Sequence, residues 1–297
     1  MPINHSISIT FCNFKLVAKL AIFIFILSII AVALILGILG PIIQGFITEL
    51  QEDLPITPEN VVEHPLKSLR VVMDFFTNYI STHSIFVTKR ILFVFLLVMG
   101  VKFFLQLPML PLAKILHSKM TTGFDVGLVN AFISTIGENL LYTFLTAVVY
   151  TVIDGAIAIG MVYFAVWLVK SVGLMGITIS LFALILLISL RMSLFCQWLP
   201  EVVRSKDRNI FKGLKISSQP VIKNFTKNTI CICVVNFLFI SAILTTLLPT
   251  AGLLPILLLP TYMVLYTALG QTLSFSFYKQ KYFVDNGATI YDPTKKY

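Results

Sequence analysis

Three charged residues interrupt stretches that are otherwise apolar enough to cross a membrane, and they carry the most chemistry in the chain. Asp154 sits in Val152-Ile153-Asp154-Gly155-Ala156, with 15 uncharged residues on either side. Lys102 interrupts the run Ile91–Ala113, and Arg191 interrupts the run Ser171–Pro200. A lone charge at the bilayer centre costs about 2.5–3.5 kcal/mol on insertion scales, so such residues turn toward one another or toward a water-filled cavity. At about 1.5 Å of rise per residue, Asp154 and Lys102 both fall near the middle of their runs, which nominates Lys102 as the partner of Asp154. Arg191 lies seven residues before Trp198 and is long enough to snorkel to the interface. Gly155 and Gly160 beside Asp154 would admit a closely packed helix. Asn236 suits an interhelical hydrogen bond, and Pro260 suits a kink whose freed carbonyl lines a cavity.

Motifs for covalent or metal chemistry are missing. The four histidines (His5, His64, His83 and His117) are scattered, with no His-Glu-x-x-His. There is no Gly-x-Ser-x-Gly elbow and no phosphate-binding Gly-Lys-Ser/Thr loop. An intramembrane aspartyl protease would need two aspartates within spans, and there is one. No catalytic residue, metal ligand set or cofactor is therefore expected. Cys12, Cys196, Cys231 and Cys233 lie outside the one long outer loop where a disulfide would be at home. Cys231-x-Cys233 has the spacing of half a metal site but no His or third Cys nearby, and reads as small buried hydrophobes.

The elements that must position the charged residues follow from composition. Of 297 residues, 58% are hydrophobic and 12% charged, about half the charged share of a soluble domain. The mean hydropathy of +0.94 agrees. About 20 apolar residues make a spanning helix. The expected fold is an all-α, polytopic transmembrane bundle forming a single domain over residues 1–297. Its six spans are expected at about residues 20–46, 91–112, 140–169, 171–198, 229–248 and 255–278. The fifth and sixth come from one uncharged run, Asn228–Tyr278, divided at Pro249, Gly252 and Pro255. The first run is too long for a signal peptide and reads as a retained span.

With the N-terminus in the cytoplasm, 15 Lys and Arg residues fall inside and five outside, which favours two cytoplasmic termini in a cell-membrane protein. The net charge of +9 thus marks inner loops, not nucleic-acid binding. The outer loop, residues 49–88, is acidic and carries Pro55, Pro58 and Pro65, with an amphipathic helix expected over Leu66–Ile80. Two inner segments, 114–138 and 201–227, are amphipathic. Phe124, Leu128, Phe132 and Ile136 recur every four residues in the first. In the second, Arg204, Lys206, Arg208, Lys212 and Lys215 flank the apolar Ile210, Phe211 and Leu214, a composition suited to anionic lipid at the inner face.

These inner segments echo one another. Leu110-Pro111 and Leu199-Pro200 each close a span and lead to a Ser-Lys pair, Ser118-Lys119 or Ser205-Lys206. Phe124-Asp125-Val126-Gly127-Leu128 then matches Ile210-Phe211-Lys212-Gly213-Leu214, which suggests a parallel internal repeat. The run from Arg191 through Leu199-Pro200-Glu201-Val202-Val203 and Ile210–Ser217 to Lys223-Asn224-Phe225 resembles a pattern in bacterial multi-span proteins. Those proteins are similar to the membrane domain attached to some glycerophosphodiester phosphodiesterases. The resemblance covers about 40 residues, with Lys215-Ile216-Ser217 departing from the group's spaced serine. It implies an architecture and a bacterial source, not an activity, because no phosphodiesterase domain accompanies it.

Two functions fit. One is transport or lipid handling, with a pathway through Asp154 and Lys102. The alternative is an accessory or scaffold subunit that binds another membrane protein or organises anionic lipid without catalysis. A charge pair closed within a packed bundle favours the second, and one lining an open cavity favours the first.

Overall fold

The computed structural model describes residues 2–53, 75, 78–79, 81–124, 126–173, 175–205, 210–223, 225–247, 249–250, 253–285 and 289–294. Ten helices are described: α1 (Pro2–Cys12), α2 (Phe14–Asp53), α3 (Ser84–Gln106), α4 (Met109–Thr122), α5 (Leu128–Val172), α6 (Met175–Phe195), α7 (Trp198–Ser205), α8 (Ile210–Lys223), α9 (Phe225–Leu247) and α10 (Leu253–Phe277). A two-residue antiparallel pair, β1 (Tyr282–Phe283) with β2 (Ile290–Tyr291), follows. Among the described residues, six helical stretches are long and apolar enough to cross a membrane: Phe14–Leu50, Ser84–Thr122, Leu140–Val172, Met175–Arg204, Asn228–Leu247 and Leu254–Phe277. They correspond one for one to the six expected spans, and the protein is a multi-pass α-helical integral membrane protein.

The chain divides into two compact units, one of residues 1–25 with 103–297 and one of residues 26–102. In the second unit Tyr79 packs on α2 against Ile42 and Phe46, donating to the Ile42 carbonyl at 3.4 Å. His83 Nε2 lies 3.0 Å from Glu49 Oε1, and Arg90 donates to the Ile38 carbonyl. Most of the expected outer loop, including most of Leu66–Ile80, lies outside the described residues.

In the first unit α10 is the central helix. It packs against α1, α4, α7 and α9, and α4 also packs on α5 and α7. Leu112, Ala113, Leu116, Trp198, Val264 and Ala268 are fully buried where α4, α7 and α10 meet. Lipid tails are as apolar as leucine, so close fit, not water exclusion, must hold membrane helices together. Two glycines supply that fit. A Cβ on Gly270 would lie 2.1 Å from the Cys196 carbonyl oxygen, and one on Gly176 would lie 2.6 Å from the Leu168 carbonyl carbon. Gly160, a candidate for such an approach, has open space around it.

The echo in the sequence has a structural form. Pro111 and Pro200 open short helices instead of closing spans: each is the third residue, of α4 and of α7, where a missing N–H is tolerated. The two copies then diverge. After the left-handed cap at Gly123 (φ 74°), the first amphipathic segment enters α5, which runs unbroken for 45 residues. The separate interfacial helix expected before the third span is therefore the start of that span's own helix. The second segment stays separate as α8, ahead of α9.

Candidate functional site

The α5–α6 hairpin builds the site. Its turn depends on Gly173, at φ 67°, a conformation that disfavours any side chain. Asp154 and Arg191 lie 19 and 18 residues from that turn, so the two antiparallel helices carry them to the same level. Arg191 Nη2 donates to Asp154 Oδ2 at 2.9 Å, and Arg191 Nε lies 2.9 Å from Oδ1. The second approach is a charge contact without an aligned hydrogen bond. Both side chains are nearly buried, at 10% and 11% exposure. The guanidinium also covers the Tyr150 ring at 4.4 Å, a cation–π contact strengthened by desolvation. Tyr150 and Phe195 repeat the register, 23 and 22 residues from Gly173, and Tyr150 donates to the Phe195 carbonyl at 3.3 Å.

The structure thus gives Asp154 a partner in Arg191, which depth counting did not nominate. Lys102, the partner expected from depth counting, lies on α3. Arg191 does not snorkel away from its helix pair, because the hairpin register presents a carboxylate to it one helix away. Counted from Gly173 at about 1.5 Å per residue, the pair lies about 27 Å down the hairpin, beyond the centre of a core about 30 Å thick.

A polar network continues from α6 to α9 and α10. Asn236 Nδ2 donates to Ser189 Oγ at 2.8 Å, and Tyr262 donates to Asn236 Oδ1. Tyr266 donates to the Met192 carbonyl at 2.9 Å, and Thr229 to Ser193 Oγ at 2.9 Å. Asn236 makes the interhelical bond expected of it on both faces of its amide. Beside it is a narrow, mainly apolar cleft lined by Ile3, Ile232, Asn236, Tyr262 and Leu265, with room for about one water molecule.

The far end of α10 gathers residues that sequence reasoning left apart. Glu201, fully buried, accepts from Ser274 at 2.5 Å and from Arg204 at 2.7 Å. Arg204, one of the basic residues expected at the lipid interface, stacks over the Tyr278 ring at 3.7 Å and stays partly exposed. Gln271 donates to the Ala113 carbonyl at 3.0 Å, and His117 Nδ1 donates to Gln271 Oε1 at 3.3 Å. His117 also stacks on Phe275, which packs on Tyr282. Tyr282 lies 2.8 Å from His5 Nδ1, and His5 in turn meets the Tyr291 ring. Ser6 bonds Thr272 at 3.0 Å. The termini are thereby clasped to the same end of α10. Burial lowers the His5 pKa from its usual value. Lys119, counted among loop charges, is buried and donates to Asn13 at 2.9 Å. Of the other basic candidates, Lys215 is exposed on α8, Lys212 belongs to the same helix, and Lys206 and Arg208 lie outside the described residues.

One signal for the Asp154–Arg191 pair was available in the sequence. Two charges of opposite sign lie at nearly equal distances from the glycine-bearing turn that joins their two adjacent spans. The Glu201 cluster had no such signal, because its members come from α7, α10 and the segment after α10. Comparison of the chain with protein-family models, with curated proteins and with solved structures finds no match, so the reading of this site rests on its own geometry.

Proposed function

We propose that the chain is a non-catalytic accessory or scaffold protein of the cell membrane, with both termini cytoplasmic, that organises anionic lipid and presents its helices to another membrane protein. One observation carries this reading: Asp154 is paired with Arg191 inside a single hairpin, at the positions the turn dictates. A carboxylate held against a guanidinium that is itself covered by Tyr150 fixes register and depth. A transported ion or headgroup would have to displace that guanidinium. The excess of Lys and Arg on the side assigned to the termini supports the orientation and the lipid preference.

The second reading, transport or lipid handling, draws on Gln197 Oε1, Trp198 Nε1 and Asn228 Nδ2, which are buried without a hydrogen-bond partner among the described residues. Such atoms are where water or a polar ligand would bind. Proteoliposomes holding a pH-sensitive dye under an imposed potential separate the two. The scaffold reading expects proton flux equal in wild type, Asp154→Asn and protein-free vesicles. A flux present in wild type and lost in Asp154→Asn would transfer the assignment to transport.

A further inference from the structure

The start of α2 and the end of α1 carry an exposed face that the bundle does not use. Ile9, Asn13, Leu16, Val17, Leu20, Ala21 and Ile24 are buried against the core of their unit, at the three- and four-residue spacing of one helix face. Phe11 (71% exposed), Phe14 (66%), Lys15, Lys19 and Ile22 (63%) lie outside that face. On the α2 wheel, Ile22, Lys15 and Lys19 lie on the side opposite the buried stripe, and along the helix the two lysines fall between Phe14 and Ile22. Cations are thus bracketed by large apolar groups on both sides along the helix.

We propose that this face is a docking surface for anionic phospholipid in the leaflet that holds the N-terminus. Two observations select lipid as the occupant. The first is continuity: Ile22, Phe23 and Phe25 extend the same helix into a candidate span and are exposed there, as a lipid-facing surface must be. The second is charge. Lys15 and Lys19 are one turn apart on a chain of net charge +9, and lysine stems lie along apolar surface while their ammonium groups reach the headgroup level. Phe11 and Phe14 lie beyond the lysines, so they would stand in water unless the interface also takes them in. Phenyl rings inserted among acyl chains beside ammonium groups paired with phosphates satisfy both requirements. This inference rests on the lipid-organising part of the proposed function and places that role on particular residues.

The test uses the full chain carrying Trp167→Phe and Phe14→Trp. Trp198, fully buried, remains as a constant background. The protein is placed in nanodiscs of equal phosphatidylcholine and phosphatidylglycerol, with bromine on the acyl chains of one lipid at a time. Brominated phosphatidylglycerol should quench the introduced tryptophan at least about twofold more strongly than brominated phosphatidylcholine. Adding Lys15→Gln and Lys19→Gln should bring the two to equality. Equal quenching before the lysines are changed would overturn the anionic preference. Absence of quenching by either lipid would show that the face meets water or a protein. Either failure leaves the flux comparison at Asp154 unaffected, so the two readings fail separately.

Discussion

Arg191 holds Asp154 because both are nearly equidistant from Gly173. The hairpin turn sets the register, and the register brings the guanidinium onto the carboxylate at 2.9 Å. Tyr150 with Phe195 and Gly176 with Val169 follow the same offset, so the pair is one rung of a regular interface. Removing one member of a buried pair strands the other, whereas replacing both with apolar groups does not. Asp154→Asn and Arg191→Met should each cost about 3–5 kcal/mol. The double variant should cost less than their sum by about 1–3 kcal/mol. Thermal unfolding in nanodiscs measures all three, and simple additivity would show that the contact has no energetic weight.

Gly270 sets how closely α10 approaches the junction of α6 and α7. Gly270→Ala would put a methyl group 2.1 Å from the Cys196 carbonyl oxygen and 3.2 Å from Pro200. Backbone must move, and overpacking of this kind costs about 1–3 kcal/mol. Gly160→Ala, in open space on α5, should leave the unfolding temperature unchanged or raise it. Equal effects of the two substitutions would refute close packing at Gly270.

The terminal clasp should weaken in acid. Burial lowers the His5 pKa below its usual value near 6.5. The undocked segment then binds a proton more readily than the docked one, so docking loses stability as pH falls below about 6.5 and continues to lose it down to the docked pKa. Ser6→Cys, at a position fully buried against Thr272, should label faster at pH 5 than at pH 7.5 when its rate is divided by that of an exposed reference cysteine at the same pH, in a background free of the native cysteines; the reference removes the loss of thiolate in acid. Adding His5→Asn should flatten that difference. A rate ratio independent of pH with His5 in place would contradict the expectation.

Sidedness is testable at two exposed positions. Ser171 precedes the α5–α6 turn, and Lys215 lies on α8, with one candidate span between them. In intact cells an impermeant thiol reagent should label Ser171→Cys and spare Lys215→Cys until the membrane is opened. The reverse pattern would invert the proposed orientation.

The sequence by itself determined the membrane character and the number of spans. Long uncharged runs leave the backbone no option but helix in hydrocarbon, and Pro and Gly between Leu247 and Pro255 divide the last run in two. Asn236 was also legible, since an isolated amide in a span must find a partner on another helix. The continuation of α5 through Glu138-Asn139 was not legible. A polar step ends a span in the bilayer but need not end a helix, whose hydrogen bonds are local. Depth counting did not single out Arg191 as a partner of Asp154 because it treats each span alone. Pairing depends on where two helices turn, which is a property of the hairpin. The burial of Glu201 and Lys119 and the meeting of His5 with Tyr282 were decided only by the tertiary structure. They join residues up to 277 positions apart, and no periodicity within one helix records which other helix will cover it.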